Sequence, residues 1–193
     1  MFHPFHHASA NPDKVAIVMA GSGETTTYRQ LDERSNQGAQ LFRSLGLERG
    51  DAIALFLENH PRYFEICWAA QRAGLYYTCI SSALTAGEVE YIVRDCGAKL
   101  FITSKAKTTE AEKLAPAIAD LKLFSVDGAW GPYAGFEEAR AKMPATPIAD
   151  EAPGVDMLYS SGTTGRPKGV RVDLKDEPID AINSLVQLAA GLF

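Results

Sequence analysis

Tyr159-Ser160-Ser161-Gly162-Thr163-Thr164-Gly165-Arg166-Pro167-Lys168-Gly169-Val170 follows a short apolar run over 155–159. That run reads as a buried strand, so the stretch is a glycine- and hydroxyl-rich loop leaving a strand end. Gly162, Gly165 and Gly169 let backbone N–H groups approach an anion with no Cβ in the way. The hydroxyls of Ser160, Ser161, Thr163 and Thr164 can donate to phosphate oxygens, and Lys168 adds a positive charge. This pattern points to polyphosphate handling. A Walker A loop laid from Gly162 needs glycine at 167 and Ser or Thr at 169, where Pro167 and Gly169 stand instead. Proline before the lysine fixes φ and removes an N–H, which suits a stiffened turn better than a loop feeding straight into a helix. The plain alternative is an exposed Gly/Ser/Thr linker, against which the ordered positions directly after a strand argue.

Upstream, short apolar runs alternate with amphipathic helices. A hairpin is expected over 14–27, with Gly21-Ser22-Gly23 in a three- or four-residue connection. Thr27-Tyr28-Arg29-Gln30 fits a capping box that starts a helix to about Leu45, stopped by Gly46 and burying Leu31, Ser35, Ala39, Phe42 and Leu45. The almost purely apolar run 52–57 is a strand covered on both faces. Asn59 or His60 then caps a helix with Pro61 in its first turn, ending at Gly74 and leaving little polar face. Strands at 76–80, 100–103 and 121–126 alternate with helices at 85–96, from a second capping box, and at 107–119, where Pro116 bends or ends the helix. This order means βαβ units, an α/β fold with a parallel-rich sheet flanked by helices. The division expected is a βα core over 14–126, a Pro- and Gly-rich surface connection over 127–153 with a short helix at 136–143, a strand and phosphate loop over 155–170, and an end over 171–193. In that end a strand is expected at 171–174 and a helix at 179–193. The helix finishes on apolar residues with nothing following to cover them, so the chain reads as cut, with self-association as a homodimer one consequence.

The 193 residues carry a formal net charge of −5, with 46% hydrophobic and 22% charged residues, an ordinary globular composition for one domain. No Lys/Arg run is present, which argues against a nucleic-acid partner. No stretch approaches the about 18 apolar residues of a membrane span, and the start lacks a signal peptide's basic and apolar regions, so a cytoplasmic protein is expected. Cys67, Cys79 and Cys96 are irregularly spaced and read as reduced core residues. His3, His6 and His7 read as a frayed, exposed terminus rather than a metal site, and His60 as a structural residue at a helix start.

Ser160 to Gly169 resembles, at all ten positions, the phosphate loop of the AMP-forming adenylating superfamily: acyl-CoA synthetases, nonribosomal peptide adenylation domains and luciferases. The Thr-Tyr-x-x-Leu helix start, Gly50-Asp51 before a strand, the Tyr- and Trp-containing helix and Gly74-Leu75-Tyr76-Tyr77 resemble the opening of an acyl-CoA synthetase, so the likeness covers essentially the whole chain. The resemblance implies the N-terminal part of the large domain. It also implies attack of a carboxylate on ATP with Mg²⁺, giving an acyl-adenylate and pyrophosphate, then transfer to coenzyme A. Ser81-Ser82-Ala83-Leu84-Thr85 replaces the prolines usual in peptide-synthetase domains, which favours fatty acids. The resemblance puts Thr163, Thr164 and Gly165 in the phosphate cradle with Gly162, gives Ser160 and Ser161 secondary contacts, and leaves Lys168 to neutralise charge or anchor the loop. No catalytic or metal-binding residue is assigned in this chain. Arg171-Val172-Asp173-Leu174 stands where family members carry a Thr-His pair. The family's adenine site, ribose-binding aspartate, hinge and C-terminal lysine are expected downstream, so the chain alone is read as inactive. The alternatives are a non-catalytic phosphate- or partner-binding domain and an amino-acid adenylation domain.

Overall fold

The computed structural model describes residues 3–160 and 167–181. The chain opens with helix α1 (Pro4–Ala10), followed by an antiparallel hairpin of β1 (Val15–Val18) and β2 (Thr25–Thr27). The ladder continues to the Met19 N–H, which donates to the Glu24 carbonyl at 2.8 Å, leaving a four-residue connection with Gly23 at φ +74°. α2 (Tyr28–Ser44) starts on the expected capping box: the Thr27 hydroxyl accepts from the Gln30 N–H, and the Gln30 side chain accepts from the Thr27 N–H. β3 (Ala52–Phe56), α3 (Tyr63–Arg72), β4 (Tyr76–Ile80), α4 (Ala86–Asp95) and β5 (Ala98–Thr103) follow. Then come α5 (Thr108–Leu114), a 3-10 turn through Pro116, and β6 (Lys122–Ser125). Pro116 has no N–H for the α ladder, which tightens there as expected.

β7 (Ala134–Gly135), α6 (Phe136–Arg140) and β8 (Val155–Asp156) complete a six-stranded, all-parallel sheet of order β7-β6-β5-β3-β4-β8. Every residue of central β3 is buried. Ile53 and Leu55 face α2, α3 and Phe136, whereas Ala52, Ala54 and Phe56 face α4 and α5. The two-residue alternation of a strand thus supplies one row to each core.

Several expectations are corrected. The three N-terminal histidines are packed rather than loose: His3 is 4% exposed, accepts from the Phe5 N–H, and packs edge-on to Trp68, while His7 stacks on Tyr28 and His6 lies 3.1 Å from Asp180. Aromatic packing on α2 and α3 gives these imidazoles a partner that composition alone does not reveal. The connection over 127–153 is more than surface, since β7 extends the sheet and Phe136 and Ile148 enter the core. α3 begins later than expected, at Tyr63, because His60 Nδ1 accepts the Arg62 N–H in the turn before it. Cys67 and Cys96 are buried, but Cys79 is exposed. The helix expected over 179–193 lies, from 182 onward, outside the described residues.

α3 also carries buried charge that its apolar look concealed. Glu65, 1% exposed, takes Arg34 and Arg62 at 2.8 Å on one carboxylate oxygen and Arg140 at 2.6 Å on the other. Arg72, equally buried, reaches Asp32, the Ser35 hydroxyl and Glu151. Such groups are tolerated inside only when paired and hydrogen-bonded.

Candidate phosphate-loop site

β8 runs parallel to β4, so the chain advances toward the carboxyl edge of the sheet as it leaves the edge strand. The run 155–159 is not one buried strand. It breaks at Met157, the only buried residue of the run, and continues as β9 (Leu158–Ser160). β9 pairs antiparallel with β10 (Lys168–Val170). The strand expected over 171–174 is therefore three residues earlier, because the pairing partner, not local propensity, sets it.

The register places Lys168 opposite Ser160, Gly169 opposite Tyr159 and Val170 opposite Leu158. Residues eight apart in sequence thus face each other where the hydroxyl- and glycine-rich loop departs and returns. Both are exposed. Ser161, Gly162, Thr163, Thr164 and Gly165, the other residues read as phosphate-binding, lie outside the described residues.

Gly169 has a packing reason. A Cβ there would lie 2.6 Å from Met157 Cε and 2.9 Å from Tyr159 Cζ, so the facing ring occupies the space a side chain would need. Tyr159 in turn donates its hydroxyl to the Asp95 carboxylate at 2.6 Å, at the end of α4. Burial and this hydrogen bond to the carboxylate both push its phenol pKa up, so it stays protonated and donating. One turn earlier on α4, Tyr91 donates to the Pro167 carbonyl at 3.2 Å. Tyr76 donates to the Val172 carbonyl at 2.8 Å, and the Arg171 guanidinium sits 4.2 Å over its ring. Sequence reading missed Tyr91, Asp95, Tyr159 and Tyr76 as supports of this hairpin. The i, i+4 placement of Tyr91 and Asp95 was the one available signal, and it says nothing of what they touch. His60 has the structural role expected, with Nδ1 on the Arg62 N–H and Nε2 3.3 Å from Asp127.

The arrangement is a hydroxyl and an ammonium on facing strands, held from one side by phenol hydroxyls and backed by a glycine that the facing ring requires. It can present donors to an anion at the loop's base. The family model "AMP-binding enzyme" matches residues 4–176. Long-chain fatty acid transport protein 1 of Mus musculus is 30% identical over 177 residues, covering 86% of this chain and 27% of that protein. 4-Coumarate–CoA ligase 2 of Petroselinum crispum is 33% identical over 180 residues, covering 89% of this chain and 32% of that one. The chain therefore spans about a third or less of the length of these relatives. A solved anthranilate CoA ligase in complex with anthranoyl-AMP superposes with a TM-score of 0.78 at 24% identity, over 86% of this chain and 33% of that structure, a likeness of fold. With nearly the whole chain under one family model and the parallel sheet and loop hairpin in place, the chain belongs to the AMP-binding enzyme family.

Proposed function

We propose that the chain is part of an ATP-dependent acid–thiol ligase, which joins a carboxylic acid to AMP, releases pyrophosphate and passes the acyl group to coenzyme A. The observation that carries this reading is the register of the β9–β10 hairpin, with Ser160 facing Lys168 at the base of the loop. In this reading Gly162, Thr163, Thr164 and Gly165 cradle the phosphates, Ser160 and Ser161 add hydroxyl contacts, and Lys168 neutralises charge. Expelling pyrophosphate concentrates negative charge on the β- and γ-phosphates. Donors fixed in place beforehand stabilise that charge without reorganising at the moment of reaction. Tyr91 and Tyr159 act as positioning residues, because they fix where the two ends of the loop stand.

Among the described residues no three His, Cys, Asp or Glu side chains gather into a metal site. Mg²⁺, when bound with the nucleotide, would add positive charge beside the phosphates, and no step is assigned to it. The acid is proposed to be a fatty acid, supported by the Ser81–Thr85 sequence and by the name of the mouse relative. We read 14–126 as the βα core, 127–153 as the connection and 155–170 as the phosphate-loop unit of one adenylation domain, working in the cytoplasm. Among the described residues no helix is long and apolar enough to cross a membrane. The chain alone is proposed to be inactive, since the relatives work with about three times its length.

Acid-dependent ATP–pyrophosphate exchange tests the reading, run on the chain alone and on a longer protein containing it, with fatty, aromatic and amino acids side by side. The expected result is exchange by the longer protein with fatty acids and none by the chain alone. Exchange with aromatic or amino acids only would overturn the acid class, and none with any acid would overturn the ligase.

A further inference from the structure

The carboxyl ends of β3 and β4 flank a cavity of about 650 Å³, walled by 57–60, 79–82 and residues 17–20 of the first hairpin. β3 leaves the sheet toward α3 on one face and β4 toward α4 on the other, so the cavity opens where these two neighbouring strands part at their carboxyl ends. Cys79 stands exposed in its wall beside Tyr63. Alternation along β4 turns Cys79 toward α3, where Cys67, 8% exposed, brings its Sγ to 3.9 Å from the Cys79 Sγ. Tyr63 lines the same wall.

The two sulfurs differ in character. Contacts with Cys67 and Tyr63 lower the Cys79 thiol to about 7 against the opposing effects of burial and Asp156, whereas the same contact with Cys79, together with burial, pushes Cys67 up. The thiolate is the reacting form of cysteine, and of the two sulfurs the exposed one is the one a solute in the crevice can reach. Cys96 provides an internal contrast: it is buried with α4 on the other face, its thiol directed at the Val93 carbonyl at 3.4 Å.

We propose that Cys79 and Cys67 form a reversible disulfide, with Cys79 as the sulfur that meets a peroxide entering the crevice and Cys67 as the thiol that resolves it. The Cys79 thiolate attacks one oxygen of hydrogen peroxide, the O–O bond breaks, and hydroxide leaves with the electron pair, giving a sulfenic acid. Cys67 then attacks the Cys79 sulfur, the S–O bond breaks, and water departs carrying the Cys67 proton. The hydroxide of the first step takes up the proton that Cys79 lost on ionising. Two thiols are oxidised by two electrons and one peroxide is reduced to two waters. The sulfurs must close from 3.9 Å to about 2.05 Å.

The test uses the folded 193-residue chain, treated with hydrogen peroxide, alkylated under denaturing conditions and digested with trypsin. Cleavage after Arg62, Arg72, Arg94 and Lys99 puts the three cysteines in separate peptides, 63–72, 73–94 and 95–99. The expected product is 63–72 joined to 73–94 by a disulfide that dithiothreitol reverses, with Cys96 still alkylated. Before oxidation, a short pulse of iodoacetamide on the native chain should label Cys79 at least about tenfold faster than Cys96. In Cys67→Ser the joined pair should vanish and a dimedone-trapped sulfenic acid should accumulate on Cys79. Loss of Cys96 at a rate comparable with Cys79, or oxidation of Cys79 that never joins it to Cys67 in the unsubstituted chain, would overturn the proposal. Because the mapping is done on the unsubstituted chain, it stands even if the variant fails to fold.

Discussion

On the face built by α2, α3 and α6, Glu65 is sealed among three guanidiniums and Arg72 among two carboxylates and a hydroxyl. On the face built by α4, the loop hairpin is held by phenol hydroxyls, Tyr91 on Pro167 and Tyr159 on Asp95, with Tyr76 on Val172 just beyond it, and its Leu158 and Val170 are exposed. The first face is a platform whose charges have nowhere else to go once they are out of water. The second is a short hairpin near the surface, held by hydrogen bonds from side chains. In the proposed function the first face is the scaffold and the second carries the hairpin from which the phosphate loop leaves.

The largest effect should come from breaking the platform. Glu65→Ala removes the one buried carboxylate that Arg34, Arg62 and Arg140 share, leaving Glu137 and Glu24 at its margin, and should cost about 3–5 kcal/mol in denaturant unfolding. A loss under about 1 kcal/mol would mean water reaches the cluster and the contrast between the faces is false.

Lys168→Ala in a complete enzyme acts on the other side of the comparison. It should slow acid-dependent ATP–pyrophosphate exchange about 100-fold, as loss of one preorganised donor does. The same exposed position should change unfolding free energy by no more than about 0.5 kcal/mol. Unchanged exchange would leave Lys168 an ordinary surface residue.

Tyr159→Phe sharpens the distinction further. It removes the hydroxyl from Asp95 and should cost about 0.5–1.5 kcal/mol, felt in the hairpin rather than in the whole chain. Amide hydrogen exchange should speed up at Gly169 and Val170 and stay unchanged in β3 and β4. Equal acceleration in the central strands would show that the hairpin and the platform open together.

The remaining effect shows only in acid. Burial first, then the neighbouring Arg72 and His6 charges, lowers the His3 pKa from 6.5 to about 3, with Asp180 opposing. Between those values the unfolded chain holds the proton and the folded chain does not, so stability should fall as pH drops through that window. The thermal midpoint of His3→Gln should decline less between pH 7 and pH 4 than that of the parent. Equal slopes would mean the α1 imidazole does not report on the face it packs against.

Much of this was legible before any coordinates. Capping boxes at Thr27 and Thr85 set two helix starts to the residue, because a side chain and a backbone N–H three residues apart decide them locally. Left-handed stops at Gly46, Gly74 and Gly97 were equally local, with φ values of +79°, +62° and +66°. The apolar run 52–57 declared a central strand because both of its faces had to be covered. What failed was what depends on partners. The run 155–159 looked like one strand until β4 claimed its beginning and β10 its end.

The sequence by itself determined the α/β order, the helix limits and the chemical kind of loop, since periodicity, caps and residue type act within a few positions. Tertiary structure alone decided that Ser160 faces Lys168, that Tyr91 and Tyr159 brace the hairpin, that Glu65 and Arg72 are buried, and that Cys67 meets Cys79. Each of these joins residues whose proximity is fixed by strand order and packing. The cost of burying a charge, or the reactivity of a thiol, depends on which neighbour the fold delivers.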